Sequence, residues 1–229
     1  MSPPVLALSQ PTASVLERYG ADGADLTAAE QRRMARLRRP GDRDDFLAAH
    51  LLVRVCAARL LGVPTGEISI VQRCAVCGGP HGRPEITDHP EVAASLAHSR
   101  GVVAAAAGTG PVGIDVEGFP PAGDPAPADL AAVLHAAELR AVESAADPAR
   151  ALLLAWTRKE ACLKAGLVDV DGLDRFDLSA LPLGSFSGDL RVRSAPWGHW
   201  TVHDWWDGRA GAVGAVVVPA GTGLTLGRD

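Results

Sequence analysis

The segment from Asp147 to Gly166 constrains the chain most, because it carries the start and stop signals of one long helix. Asp147 is a favoured N-cap, Pro148 suits the first helical position, and Gly166 closes the run at 149–165. A second helix is predicted over 43–61, where Phe46, Leu47, Leu51, Val55, Ala58 and Leu61 recur at helical spacing before Gly62 and Pro64. Just upstream, Thr27-Ala-Ala-Glu30 is a capping box that opens a helix through the arginines at 32, 33, 36, 38 and 39, stopping at Pro40. A further helical pattern runs from 129 to 145 and breaks near His135. Between these lie short alternating runs at 67–72, 101–107, 112–117, 174–178, 188–194, 199–206 and 211–218, which read as strands.

Residues 74–90 and 118–127, dense in Gly and Pro, read as connectors. Gly108-Thr-Gly-Pro111 reads as the turn of a hairpin between 101–107 and 112–117, and equally as a domain seam. The expected fold class is α+β, in two halves at 1–108 and 109–229, each with helices packed on a mainly antiparallel sheet.

The 229 residues are 47% hydrophobic and carry a net charge of -5, so the broad positive field of a nucleic-acid binder is missing. No membrane-spanning run or signal segment is legible, and the expectation is a cytoplasmic protein. Four cysteines, Cys56, Cys74, Cys77 and Cys162, are too few and too scattered for a disulfide framework. Cys74-x-x-Cys77 with His81 has the spacing of zinc ligands. A structural site takes four, however, and no second pair follows, which weighs against zinc.

Three segments can carry chemistry. In Gly113-Ile-Asp-Val-Glu117 the strand period puts Asp115 and Glu117 on one face, about 7 Å apart. That is either the wet face of a half-buried strand or the oxygen-only donor set that suits Mg²⁺. In Trp156-Thr-Arg-Lys-Glu-Ala-Cys-Leu-Lys164 the helical period aligns Trp156, Glu160 and Lys164. Of 22 basic residues only two are lysines, Lys159 and Lys164, both in this segment, which suggests a local need for a compact ammonium. His81-Gly-Arg-Pro84 and Ser95-Leu-Ala-His-Ser-Arg100 offer the cationic and hydroxyl donors of a phosphate-binding surface. Four tryptophans, at 197, 200, 205 and 206, are expected to be sheet core rather than a docking surface.

In this order, Gly82-Arg-Pro84, Ser95-Leu-Ala-His-Ser99, Gly113-Ile-Asp-Val-Glu117 and Trp156-Thr-Arg-Lys-Glu-Ala-Cys-Leu-Lys-Ala165 resemble the Sfp-type 4'-phosphopantetheinyl transferases, over at least residues 27–178. The resemblance implies two similar halves related by a pseudo-twofold, and a cleft between them for coenzyme A. It also implies Mg²⁺ on the pyrophosphate, and transfer of the phosphopantetheine arm to a serine of apo acyl or peptidyl carrier proteins of polyketide, fatty-acid or nonribosomal peptide synthesis. By the same resemblance Asp115, Glu117 and Glu160 would be the metal ligands and Lys164 would meet the pyrophosphate. Arg54, Arg83 and His98, with Ser99 beside them, would hold the adenosine 3'-phosphate.

Glu160 or a metal-bound water would be the base, and Lys164 would stabilise the departing 3',5'-ADP. Arg36, Arg38 and Arg39 would add phosphate contacts or form a solvated face. Two positions depart from the family pattern: Ala97 stands where a serine is common, and Arg83 where a lysine is frequent. A monomer is expected. The competing readings are a non-catalytic coenzyme A or carrier-binding module and an Mg²⁺-dependent pyrophosphate hydrolase.

Overall fold

The computed structural model describes residues 4–74, 77–120, 128–184 and 190–227. Its elements run β1 (Val5–Pro11), α1 (Thr12–Tyr19), α2 (Ala28–Arg36), α3 (Pro40–Leu61), β2 (Ile70–Gln72), β3 (Pro84–Ile86), β4 (Ala93–Ser99), β5 (Val102–Gly108) and β6 (Gly113–Gly118). They continue with α4 (Ala136–Glu143), α5 (Pro148–Ala165), β7 (Leu190–Trp197), β8 (Trp200–Asp207), β9 (Ala212–Pro219) and β10 (Leu224–Gly227). One sheet has the order β10-β1-β5-β4-β3-β2, the other β6-β9-β8-β7. Every pairing is antiparallel except that of β1 with β10. The fold is α+β, with helices on two sheets of mainly antiparallel strands. Among the described residues no helix is long and apolar enough to cross a membrane.

The helix signals act as the sequence leads one to expect. Thr27 and Glu30 form a reciprocal capping box on α2, and Asp147 Oδ1 accepts from the Arg150 N–H at the start of α5. Gly62 and Gly166, with φ of +71° and +84°, end α3 and α5 in the left-handed region. α3 is buried on nearly every side from Asp45 to Ala58, between the first sheet and α1 with α2. The interrupted helix at 129–145 is a short 3₁₀ segment, Ala128–Val133, followed by α4, for which His135 is the N-cap.

The hairpin expected between 101–107 and 112–117 does not form. β5 pairs with β1 and β4, while β6 pairs with β9 in the other sheet. The reason lies in the composition of β5, Val-Val-Ala-Ala-Ala-Ala-Gly, which is apolar on both faces and must be covered on both. Val103, Ala105 and Ala107 face α3, whereas Val102, Ala104 and Ala106 pack with Ile114, Val116, Val216 and Val218 of the second sheet. Gly108-Thr-Gly-Pro111 is therefore a crossing from one sheet to the other.

Two further expectations change. Residues 174–178 hold no strand; a 3₁₀ turn, Val170–Arg175, occupies this place. The carbonyls of Leu173 and Phe176 accept from the Lys159 ammonium, not from a neighbouring strand. At 67–72 the first residues form a 3₁₀ turn, Thr65–Glu67, and only Ile70–Gln72 pair. Part of the connector at 118–127 and the first residues of the strand read at 188–194 lie outside the described residues. Trp205 and Trp206 are buried, and Trp197 and Trp200 close the β7–β8 hairpin against the core, so the tryptophans are sheet core.

α5 lies directly on β6. A Cβ at Gly113 would fall 2.0 Å from the Ala161 carbonyl oxygen and 2.4 Å from the Ala165 nitrogen, so only glycine permits this approach. Gly113→Ala is expected to lower unfolding stability by about 3 kcal/mol or more, because backbone on both sides must move apart. Urea unfolding that leaves the midpoint unchanged would contradict this close packing.

Candidate active site

The alternation of β6 sorts its side chains. Ile114 and Val116 enter the core between the sheets, and Asp115 and Glu117 face α5. Lys164 Nζ donates to Asp115 Oδ1 at 2.6 Å, and Trp156 Nε1 donates to Glu117 Oε1 at 3.1 Å. Glu160 lies between these two α5 residues along the helix. The face made of Trp156, Glu160 and Lys164 is thus the one laid over the carboxylates.

The first sheet reaches the same place. Ser99 Oγ donates to Glu117 Oε2 at 2.5 Å, and Arg100 Nη1 stands 3.5 Å from that oxygen. Both residues lie at the β4–β5 turn, where Arg100 (φ +48°) and Gly101 (φ +83°) take the left-handed conformations of a two-residue hairpin turn. Asp45 of α3 fixes that turn, accepting from the Thr12 hydroxyl at 2.5 Å and from the Gly101 N–H at 3.1 Å. Sequence reasoning missed Asp45; the signal was a carboxylate at the start of an otherwise apolar helical run.

Asp115 is 6% exposed, and its Oδ2 is buried without a hydrogen-bond partner. Burial pushes its carboxyl up to about 7; Lys164 opposes this, and Glu117 and Glu160 add to it. Burial likewise raises Glu160, with Lys164 opposing and Glu117 adding. Asp115, Glu117 and Glu160 are thus close enough to act on one another's charge, with Lys164 on Asp115, Arg100 beside Glu117 and one Asp115 oxygen unpaired.

Between the unfolded value of 3.8 and about 7, native Asp115 holds a proton that the unfolded chain has released, so its ionisation on raising the pH works against the fold. With chelator present, Asp115→Asn is expected to melt above the parent at about pH 8, and the difference should vanish near pH 4. A stabilisation that grows on acidification would contradict the assigned burial.

The remaining expected site residues are distributed unevenly. Arg83 is exposed at the C-terminal end of α5, so close that a Cβ at Gly166 would fall 2.2 Å from its Nη2. A hollow of about 720 Å³ between the two sheets' elements is lined by Arg83, Ile86, Ala93, Pro111 and Lys164, among others. His98 stands exposed on β4, edge-on to Phe46 at 6.4 Å. Arg54, by contrast, is 2% exposed and grips Glu30 through both terminal nitrogens, at 2.7 and 3.1 Å, and the His50 carbonyl at 2.8 Å. The structure thus places Arg54 in an internal ion pair instead of at the cleft surface. Arg36, Arg38 and Arg39 are exposed. A second hollow, of about 510 Å³ and lined by Phe119, Arg150, Leu154 and Trp206, includes none of the expected site residues.

Residues 111–215 match the family model of the 4'-phosphopantetheinyl transferase superfamily. The matched stretch opens just before β6 and closes within β9. It contains Asp115, Glu117, Glu160 and Lys164, and leaves Arg54, Arg83, His98 and Ser99 outside. No curated protein matches the chain.

Within the matched stretch the two lysines divide the work. Lys159 is 0% exposed, pairs with Glu138 at 2.8 Å and donates to the Leu173 and Phe176 carbonyls. Arg158 is equally internal, chelating Asp204 at 2.6 and 3.0 Å. Lys159→Met should therefore cost about 3–5 kcal/mol by stranding the buried Glu138 charge. Lys164→Met, at a partly exposed pair, should cost about 1 kcal/mol or less. Equal losses for the two in urea unfolding would overturn this division.

Proposed function

We propose that this protein moves the 4'-phosphopantetheine arm of coenzyme A onto a serine of apo acyl or peptidyl carrier protein domains and releases 3',5'-ADP, as an Sfp-type transferase. The superfamily match supports phosphopantetheine transfer in general. The observation that carries the finer reading is the buried Oδ2 of Asp115, unpartnered in the neighbourhood of Glu117 and Glu160 while Oδ1 pairs with Lys164.

This donor set consists of carboxylate oxygens, which fits Mg²⁺ and not a soft metal. Asp115, Glu117 and Glu160 would hold the ion, which when bound neutralises pyrophosphate charge. Lys164, which lines the hollow together with Arg83, would meet the pyrophosphate and stabilise the charge that builds on the leaving ADP. Arg83, His98 and Ser99 would orient the 3'-phosphate from the side of the first sheet. Arg54 would serve there indirectly, by holding Glu30 and the α2–α3 pair. The carrier serine oxygen forms the new bond to phosphorus as the phosphoanhydride bond breaks. Glu160, whose carboxyl burial pushes up from its ordinary value, would take the serine proton.

The halves 1–108 and 109–229, the second of which also lends β10 to the first sheet beside β1, would then be the adenosine 3'-phosphate side and the metal and catalytic side of a single cleft. A pseudo-twofold relation between them and a monomeric state complete the proposal. The packing of α3 on the first sheet and of α5 on the second supports such a relation.

The test is intact-mass measurement of an apo carrier protein incubated with the chain and coenzyme A, with Mg²⁺ or with chelator. A metal-dependent gain of one phosphopantetheine arm is expected. Asp115→Ala and Glu160→Ala should each lower the rate by roughly 10²–10³-fold or more, and Lys164→Arg should also impair it. Coenzyme A bound without transfer to any carrier would replace this reading with a binding module. Coenzyme A cleaved without carrier would replace it with a hydrolase.

A further inference from the structure

The loop between β2 and β3 brings together three side chains that the carboxylate site does not use. Cys74, Cys77 and His81 each present a ligand atom, and these atoms lie within 4.8 Å of one another. Cys77 Sγ and His81 Nε2 are 3.0 Å apart. Tetrahedral zinc, with bonds of about 2.3 Å to sulfur and about 2.0 Å to nitrogen, places its donors roughly 3.4–3.8 Å apart. Small side-chain rotations are therefore enough to close this set on an ion.

The backbone is shaped to keep the three together. The Cys74 N–H donates to the Gly79 carbonyl and the Gly78 N–H to the Cys74 carbonyl, both at 2.9 Å. Gly78 has φ +68°, the left-handed conformation that turns the chain immediately after the second cysteine. The Gly79 N–H then points at Cys77 Sγ, at 3.4 Å. Such a contact stabilises a thiolate more than a thiol. A Cβ at Gly79 would fall 3.1 Å from His81 Cδ2 and 3.2 Å from Cys77 Sγ, so glycine there lets thiol and imidazole meet. Ala75 and Val76, which lie outside the described residues, have no ligating side chain.

The chemistry of the donors selects the metal. Two sulfurs and an imidazole suit zinc and reject Mg²⁺, whereas the carboxylate site does the reverse. Cys77 and His81 are exposed, so an ion enters from solvent. The absence of a second cysteine pair, which weighs against zinc in the sequence, removes only a closed four-ligand site. Three protein ligands with water in the fourth position remain a regular zinc arrangement.

We propose that Cys74, Cys77 and His81 bind one zinc ion, with water as fourth ligand, and that this clip orders the loop that delivers Arg83 to the cleft. On binding, each cysteine thiol releases its proton to solvent, and the two resulting thiolates and His81 Nε2 donate electron pairs to the ion. The loop is tied at its far end to β2 and, through it, to α2. Gln72 Nε2 donates to the Gly82 carbonyl at 2.7 Å, and Arg33 Nη1 donates to Gln72 Oε1 at 2.5 Å. Gly82 itself takes φ +106°, and a Cβ there would fall 3.0 Å from the Arg73 carbonyl oxygen. Arg83 follows directly, over the end of α5. The zinc site stands on its own geometry, and its service to Arg83 rests on the coenzyme A reading above.

The experiment is metal analysis of the full-length protein purified without chelator, followed by Co²⁺ loading of the metal-stripped protein. About one zinc per chain and a cobalt–thiolate charge-transfer band are expected, and both should be lost in Cys74→Ser/Cys77→Ser. Asp115→Asn should keep both, so failure of the carboxylate site leaves the zinc result intact. Less than about a tenth of an equivalent after zinc loading, retention of zinc by the double variant, or a Cys74–Cys77 disulfide in protein isolated without oxygen would each overturn the site. The double variant should also bind coenzyme A several-fold more weakly, and Arg83→Ala should abolish that difference. Unchanged affinity with zinc lost would overturn the positioning role.

Discussion

The contact on which the rest depends is the seating of α5 on β6 at Gly113. Helix and strand backbones meet there with no side chain between them, which brings the residues on the facing surface of α5 within hydrogen-bond range of the β6 carboxylates. Side chains at the usual helix-to-sheet separation would need longer reach. Lys164 and Trp156 would then meet Asp115 and Glu117 only through water. The glycine at the head of Gly-Ile-Asp-Val-Glu is therefore a geometric requirement of the site, although it has no chemistry of its own.

A second close approach supplies the other wall. The sheets stack through Ala7, Ala104 and Ala106 against Ile114 and Val116, a seam made of small residues on one side. The Ile114 N–H donates across it to Ser95 Oγ at 3.1 Å, which fixes β6 against β4. With that seam fixed, Ser99 and Arg100 at the end of β4 fall on Glu117. Glu117 is thus held by donors from the first sheet and from α5, while Asp115 keeps one oxygen unsatisfied. Satisfying Glu117 and starving Asp115 is a division of roles within one strand, made by which neighbours each position along that one face meets.

Much of this was legible in the sequence, because helix caps and period-two alternation are local. Asp147, Pro148 and Gly166 bound α5, Thr27 with Glu30 opened α2, and the alternation of 112–117 put Asp115 and Glu117 on one face. What could not be read was partner choice between strands. The run at 101–107 and that at 112–117 are near in sequence and joined by turn residues, which is the local signature of a hairpin. The deciding fact is the demand of β5 for cover on both faces, which α3 meets on one side and the second sheet on the other, while β1 and β4 take its two edges. Arg54 illustrates the same limit at the level of a side chain: its charge was legible, but its partner Glu30, 24 residues earlier, was not.

The scarcity of lysine also has a physical account in the two positions that keep it. At 159 the ammonium is enclosed by Glu138 and two carbonyls converging on one point, a geometry that a compact three-donor head satisfies and a planar guanidinium would overfill. At 158, one residue earlier, an arginine faces a flat carboxylate and two carbonyls spread apart, and the fork of the guanidinium matches them. At 164 the ammonium is partly exposed, pairs with Asp115 and lines the hollow, and its compact head meets a single carboxylate oxygen. Arginine serves wherever this chain needs a fixed planar partner. The two lysines mark the one helix where a compact positive charge fits a small enclosure at 159 and a single carboxylate oxygen at 164.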